Sequence, residues 1–475
     1  MADQHDEITP PTPAPGSTGS MGSPGSPDSP PAIPSPLGDE AAARGALGPA
    51  GQRIASIDTL RGFALLGILL MNIPFFALSF YAFMDPRIAG GFEGADLATW
   101  WFGHLFFEFK MMTLFSLLFG AGIVMMTQRA DERGLPVAGV HYRRMGWLLL
   151  IGVLHGYLLW YGDILHAYAI FGMLVFPLRR LGPRWLLAMG LTLLTLGVLV
   201  NIGFGAFMSM TREFAAEAQA ILDAGETPPP EKAWAIEAWG GMSEGMIPTE
   251  EALAEERAAH LGTWWELFKH RFPIALMMQI QMNVFFSPWR LGGLFLVGMA
   301  LMKWGVFTAK RSNRFYLLCG LIGFGVGVPV VAFGAVDSIA NEFDIVHTYL
   351  RGFNYNYIGS LFMAMGYIGL IMLLCKSGAL TWLTGALAAV GRMALTNYLM
   401  QTLICTTIFE GYAFGLWGSL SRVELLVVVV GVWIVQLIYS PIWLRRFRFG
   451  PMEWLWRSLT YMRPQPMRLA PEARA

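Results

Sequence analysis

The chain has 475 residues, of which 55% are hydrophobic and only 14% charged, and its mean hydropathy is +0.49. A soluble domain carries about 25% charge, so a soluble protein is excluded. Lys+Arg 33 balances Asp+Glu 33, which excludes nucleic acid as the main partner, and three cysteines (Cys319, Cys375, Cys405) in apolar runs exclude a disulfide framework.

Residues 1–50 hold eleven of the 28 prolines, with Gly and Ser between them. Such a stretch cannot bury enough apolar area to offset chain entropy, so residues 1–52 are expected to be a disordered tail. The stretch lacks the basic start and apolar middle of a signal peptide. Insertion is therefore expected through the first transmembrane helix.

A membrane-crossing helix needs about 20 mostly apolar residues. On that measure the spans are, in order, 62–84, 97–128, 145–161, 164–178, 185–210, 290–307, 315–336, 352–375, 383–409 and 425–444. Between the fifth and sixth lies a polar insert, 212–271, with twelve acidic residues against five Lys/Arg. The apolar piece 272–289, broken by Pro273 and Pro288, reads as an interfacial or re-entrant segment. The expected fold is all-α: a polytopic protein of about ten transmembrane helices. It divides into five helices over 53–210, an extracytoplasmic insert over 211–285, five helices over 286–450 and an amphipathic cytoplasmic tail over 451–475. Lys and Arg alternate with the loops as the positive-inside rule requires when both termini are cytoplasmic. Arg129, Arg143, Arg144, Arg179, Arg180, Arg184, Lys303, Lys310, Arg311 and Lys376 fall on one side, and Arg87, Arg351 and Arg422 on the other. A multi-pass protein of the cell (inner) membrane is expected, with the lipid bilayer as its constant partner. A homodimer is left open.

Ionisable and amide side chains within spans are costly unless paired, which makes them functional candidates. Asp58 and Arg61 are one turn apart at the mouth of the first span and can pair. Asn72, eleven residues on, returns to nearly the same face about 16 Å deeper. An interfacial anchor is the plain alternative for the pair, and helix–helix glue for the amide. In the second span His104 and Glu108 share a face at i and i+4, the arrangement of a carboxylate-oriented general base. Lys110 and Ser116 lie farther along. A third cluster, His155, Asp163 and His166, flanks a tight hairpin. It resembles a proton relay, lacks a recognised metal spacing, and reads more simply as helix packing. The fourth comprises Arg392, Asn397 and Gln401, with Thr396 nearby. After the last span, Glu453 and Arg457 pair at i and i+4 in an amphipathic anchor.

Several of these stretches also carry a resemblance. Ser56-Ile-Asp-Thr-Leu-Arg61-Gly62 with Asn72, Phe115-Ser-Leu-Leu-Phe-Gly120-Ala-Gly122 and Asp163-Ile-Leu-His-Ala-Tyr168 look like the YeiB-like family of bacterial membrane proteins. Gly391-Arg-Met-Ala-Leu-Thr396-Asn397-Tyr398 and Gly450-Pro-Met-Glu453-Trp454 are similar to that family's C-terminal domain of unknown function 418. The match runs from about residue 54 to 465. Through the family, the chain resembles the transmembrane acyltransferases, such as heparan-alpha-glucosaminide N-acetyltransferase. Asp58, Arg61, Gly62 and Asn72 match the pattern of that group's first helix.

The resemblance implies an acyltransferase that moves an acyl group, acetyl among the candidates, from cytoplasmic acyl-CoA to an extracytoplasmic or lipid-linked acceptor such as a glycan. Acyl-CoA would be a co-substrate, and no bound cofactor or metal is expected. The group's catalytic His corresponds to a position near Phe83, which is not His; the next His is His104. On this reading His104 and Glu108 form the base, and Asn72, Asn397 or Gln401 supply oxyanion donors. Asp58, Arg61 and Arg392 form the donor site. The rival is a proton-coupled small-molecule transporter, since intramembrane His, Arg and Asn also suit a carrier.

Overall fold

A computed structural model describes residues 54–132 and 137–469, and the expected tail at 1–52 lies outside them. Among the described residues the secondary structure is helical, with a single isolated bridge, Phe447 to Arg468. The helices are α1 (Ala55–Ala77), α2 (Gly94–Phe106), α3 (Lys110–Glu132), α4 (Ala138–Leu158), α5 (Leu165–Val175), α6 (Pro183–Asp223), α7 (Pro230–Glu244), α8 (Glu250–Leu261), α9 (Trp264–Gln281) and α10 (Ser287–Lys303). They are followed by α11 (Asn313–Ala340), α12 (Phe353–Ser377), α13 (Thr381–Arg392), α14 (Ala394–Phe409), α15 (Arg422–Leu444) and α16 (Pro451–Thr460).

Among the described residues, seven helical stretches are long and apolar enough to cross a bilayer: Ala55–Ala77, Gly94–Gln128, Pro183–Asp223, Trp264–Lys303, Asn313–Ala340, Ile345–Ser377 and Arg422–Leu444. The chain is thus a multi-pass helical membrane protein. The other three stretches read as spans fall on α4, α5 and the α13–α14 pair. Each differs physically from the seven. Helix α4 carries His141, Arg143, Arg144 and His155, α5 is only 11 residues long, and α13 is separated from α14 at Met393.

The segment expected to be re-entrant is instead one path. Helix α9 passes into α10 through a π-helical turn at Met282–Phe286. Pro273 is accommodated inside α9, and Pro288 sits in the first turn of α10. Lacking an N–H, Pro288 donates no bond back into the preceding turn, and Ser287 N beside it reaches Met282 O in the π register. The boundary expected at residue 211 falls inside α6, which continues to Asp223.

Two close crossings set the frame. A Cβ at Gly62 of α1 would strike the Leu387 carbonyl of α13, and one at Gly391 would strike the Asp58 carbonyl. A Cβ at Gly120 of α3 would likewise strike the Phe295 carbonyl of α10, and one at Gly298 the Leu117 carbonyl. Small residues are what let membrane helices approach this closely, where packing rather than water exclusion drives association. Early helices are thereby bound to late ones.

The loops gather at two ends. At one, Ser56 Oγ donates to Phe307 O (2.8 Å), Arg143 Nε to Thr460 O (3.0 Å) and Lys376 Nζ to Arg311 O (2.6 Å). At the other, Gly418 N donates to Ala77 O (2.8 Å) and Arg271 Nη1 to Leu159 O (2.5 Å). The acidic insert docks at this second end. Glu256 accepts from Ser79 Oγ (2.5 Å) and Phe80 N (2.8 Å), while His260 meets Glu410 at 3.0 Å and stacks on Trp417.

The crossings give a direct expectation. Gly391→Leu should lower the thermal unfolding midpoint of the detergent-solubilised protein, since overpacking typically costs about 1–3 kcal/mol. Gly325→Leu, with open space around its Cβ position, should leave the midpoint nearly unchanged.

Candidate functional site

A cavity of about 750 Å³ runs through the bundle, with walls that include Arg61, Arg144, Arg392 and Arg457 near one end and Trp100, His104 and Glu108 toward the other. Asn72 and Tyr168 lie along it. A volume of this size falls within the usual range for ligand sites. The stripe from Arg61 to Asn72 along α1 therefore lines one continuous space.

The His104 arrangement depends on a break between α2 and α3. Phe107 and Glu108 amides both turn back to Gly103 O (2.9 Å each), and Phe109 takes a left-handed φ of 61°. A bulky residue there is uncommon and strained, and such residues cluster at functional sites. The break frees the His104 carbonyl, which accepts instead from Lys110 Nζ (2.5 Å). His104 Nδ1 lies 2.8 Å from Glu108 Oε2. Glu108 Oε1 accepts from Asn356 Nδ2 (3.1 Å), and Asn356 Oδ1 accepts from Lys110 Nζ (2.6 Å). Trp100 stacks on the imidazole at 4.9 Å. With Nδ1–H donated to the carboxylate, Nε2 is left as the basic nitrogen. The tautomer follows from the hydrogen-bond pattern.

At the other end Arg61 Nη1 donates to Asp58 Oδ1 (3.0 Å), and Arg144 lies over Trp456 (4.2 Å). Glu453 of α16 reaches the start of α14. Its Oε1 accepts from Leu395 N (2.6 Å) and Thr396 N (3.1 Å), and its Oε2 from Thr396 Oγ1 (2.6 Å). A carboxylate from the tail thus caps a helix whose own flanking residue, Met393, supplies no side-chain cap. Burial holds the Glu453 carboxyl above its ordinary range, against the opposing pull of these donors.

The remaining candidates are engaged within the bundle and lie off the cavity wall. Ser116 Oγ meets Tyr168 OH at 2.6 Å. Asp163, fully enclosed, is 2.8 Å from His155 Nδ1 and accepts from His166 N at 3.1 Å, while His155 Nε2 meets Thr402 Oγ1 at 2.9 Å. Asn397 donates to Val390 O (3.1 Å), and Gln401 to Gln436 Oε1 (3.0 Å). These are the contacts of interhelical glue.

Two residues outside the sequence-derived set prove central. Asn356 joins Glu108 to Lys110; the amides Asn354 and Asn356 at the start of an apolar span were its visible signal. Arg290 is fully buried between α3, α10 and α12, donating to Tyr357 O (2.8 Å), Thr113 Oγ1 (2.7 Å) and Ser360 Oγ (2.5 Å). Its isolated position between two apolar runs marked it in the sequence.

The hairpin geometry assigns Asp163 to stability. Asp163→Ala should destabilise the protein strongly, since removing one partner of a buried pair typically costs about 3–5 kcal/mol. Thermal unfolding with and without the substitution checks this.

Residues 301–463 match the family model described as a protein of unknown function, DUF418. The chain is 36% identical to the uncharacterized protein YeiB of Escherichia coli (strain K12), over 86% of this chain and 96% of that one. It is 30% identical to the uncharacterized protein YxaH of Bacillus subtilis (strain 168), over 88% and 96% respectively. An uncharacterized 39.9 kDa protein in the amylase 3' region of Bacillus acidopullulyticus is 26% identical over 89% and 98%. No solved structure matches the chain. With 36% identity to YeiB over 86% of this chain and 96% of that one, and with the DUF418 segment in its C-terminal part, the chain belongs to the YeiB-like family.

Proposed function

We propose that the protein is a transmembrane acyltransferase of the inner membrane. It takes an acyl group from cytoplasmic acyl-CoA and passes it to a hydroxyl or amine acceptor on the extracytoplasmic side. The observation that carries this reading is the cavity. Its wall holds arginines suited to phosphates near one end and a carboxylate-backed imidazole toward the other.

On this reading the CoA phosphates lie against Arg61, Arg144 and Arg392, since guanidinium groups match phosphate geometry. The thioester arm follows the stripe toward Asn72. His104 Nε2 takes the acceptor proton as its oxygen or nitrogen attacks the thioester carbon. The carbonyl oxygen becomes an oxyanion held by the Asn72 amide. The C–S bond then breaks, and the CoA thiolate takes the proton from the imidazolium. Glu108, held by Asn356, stabilises the imidazolium while it exists.

The same reading sets ten crossings with both termini in the cytoplasm. It is supported by the Lys/Arg alternation and by the gathering of the basic loops at one end of the bundle. A cysteine at exposed Ala224, in the acidic insert, should react with an impermeant thiol reagent in intact cells, and one at exposed Ala138 should not. The reverse pattern overturns the orientation.

Purified protein in liposomes, given acyl-labelled CoA, should release CoA thiol and retain the label on an acceptor. Flux of an intact solute without bond breakage would instead establish a proton-coupled transporter. His104→Ala should lower the transfer rate by about 10²–10⁴, the usual contribution of a general base, while acyl-CoA binding and the unfolding midpoint stay near wild type. Glu108→Gln should lower the rate by less. Unchanged transfer in His104→Ala would remove the base from this site.

A further inference from the structure

The cavity also reaches the side of the bundle. Helix α6 packs on α10 at Gly190, where an added Cβ would lie 2.8 Å from Gly293 O, and at Gly197, where it would lie 2.9 Å from Trp289 Cβ. Two turns later, at Gly205, α6 is against the backbone of Leu350 instead. Between these points α6 leaves α10, and the α9–α10 path widens through its π turn. Val200, Asn201 and Phe204 of α6 line the cavity from one side, and Gln281, Met282 and Phe285 from the other. Gln281 is exposed, and Phe285 is 60% exposed while lining the cavity. A residue that does both stands in an opening.

The setting of the opening fixes its occupant. Both helices belong to stretches apolar enough to cross a bilayer. The neighbours Leu199, Ile202, Ile280 and Val284 are exposed and apolar, so the rim faces acyl chains rather than water. The polar groups that these two helices present to the cavity are amides, Asn201 and Gln281; the ionisable His104 and Glu108 come from its wall at the α2–α3 break. An uncharged amide lining does not repay the desolvation of a charged headgroup, yet it can hydrogen-bond hydroxyls.

We propose that this opening between Val200–Phe204 and Gln281–Phe285 is a lateral portal for a neutral, hydroxyl-bearing membrane lipid. Its chains remain in the bilayer while its hydroxyl reaches toward His104. The proposal rests on the acyltransferase reading for the use made of the hydroxyl, and it names the acceptor class as lipid rather than a soluble glycan.

Photolabelling in nanodiscs tests it without requiring turnover. The probes are a monoacylglycerol carrying a diazirine beside its free hydroxyls and a phosphatidylglycerol carrying the same group at the same depth. The neutral probe should label the cavity-facing residues Asn72, Phe109 and Phe286 as well as the rim. The anionic probe should label only rim positions such as Leu199, Ile280 and Val284. Filling the portal with Asn201→Trp and Gln281→Trp should abolish cavity labelling and preserve rim labelling. Identical patterns for both probes on the wild-type protein, or rim labelling alone, would overturn the portal whether or not the filled variant folds. Acyl transfer without cavity labelling refutes the portal only, and cavity labelling without acyl-CoA turnover refutes the acyltransferase only.

Discussion

The approach of backbone to backbone at four glycines governs this molecule. Gly62 and Gly391 bring α1 onto α13, and Gly120 and Gly298 bring α3 onto α10, each so closely that a methyl group would meet a carbonyl. Lipid chains are as apolar as leucine, so helices in a bilayer gain little by hiding leucines from it; they gain by packing density. Both contacts join residues far apart in sequence, so each ties an early helix to one from the second half of the chain. The cavity is what remains between helices held tightly at these points and diverging elsewhere. It is enclosed where α1 and α3 are clamped and open where α6 parts from α10.

Much of this was legible in the sequence, but the reason was not. Gly62, Gly120 and Gly391 stood in the stretches that carry the family resemblance, and their role as crossing points appears only when the opposing carbonyls are in place. The apolar runs revealed the helices, whereas the path from α9 to α10 did not follow from them. An interruption was read at Pro288, and the helix does depart from α geometry just before it, but as a π turn at Met282–Phe286 within one path rather than as an end of the helix. Arg61 and Asn72, read as one polar stripe, both border the cavity. The stripe of Asn397 and Gln401 had the same periodicity and is turned into helix contacts. Period alone cannot tell which neighbour a face meets.

Within the hydrocarbon a polar atom left without a partner is costly. That rule separates two uses of similar residues. In the hairpin both ring nitrogens of His155 are engaged, by Asp163 and by Thr402, so the ring is fixed and has no basic nitrogen left for a substrate. At His104 the carboxylate engages Nδ1 and the ring still borders the cavity. Spacing alone presented the two clusters as rivals; what distinguishes them is that His104 borders the cavity, whereas His155 and His166 lie off its wall.

The broken helix explains why this base needs so many supporting residues. At about 100° per residue, Glu108 and Lys110 on an unbroken helix would project some 200° apart, on opposite faces. The ammonium could then not share Asn356 with the carboxylate. Reversing the chain at Phe109 brings Lys110 back toward α2, where it satisfies the carbonyl that the break had orphaned. The strain at one residue is thus offset by a charged donor placed where a helical amide is missing. Asn356, from a helix more than two hundred residues away, joins that donor to the carboxylate behind the imidazole. The ammonium charge is thereby neutralised beside the acid without being paired to it directly. The carboxylate keeps one oxygen for the imidazole, as a base that must accept and return a proton requires.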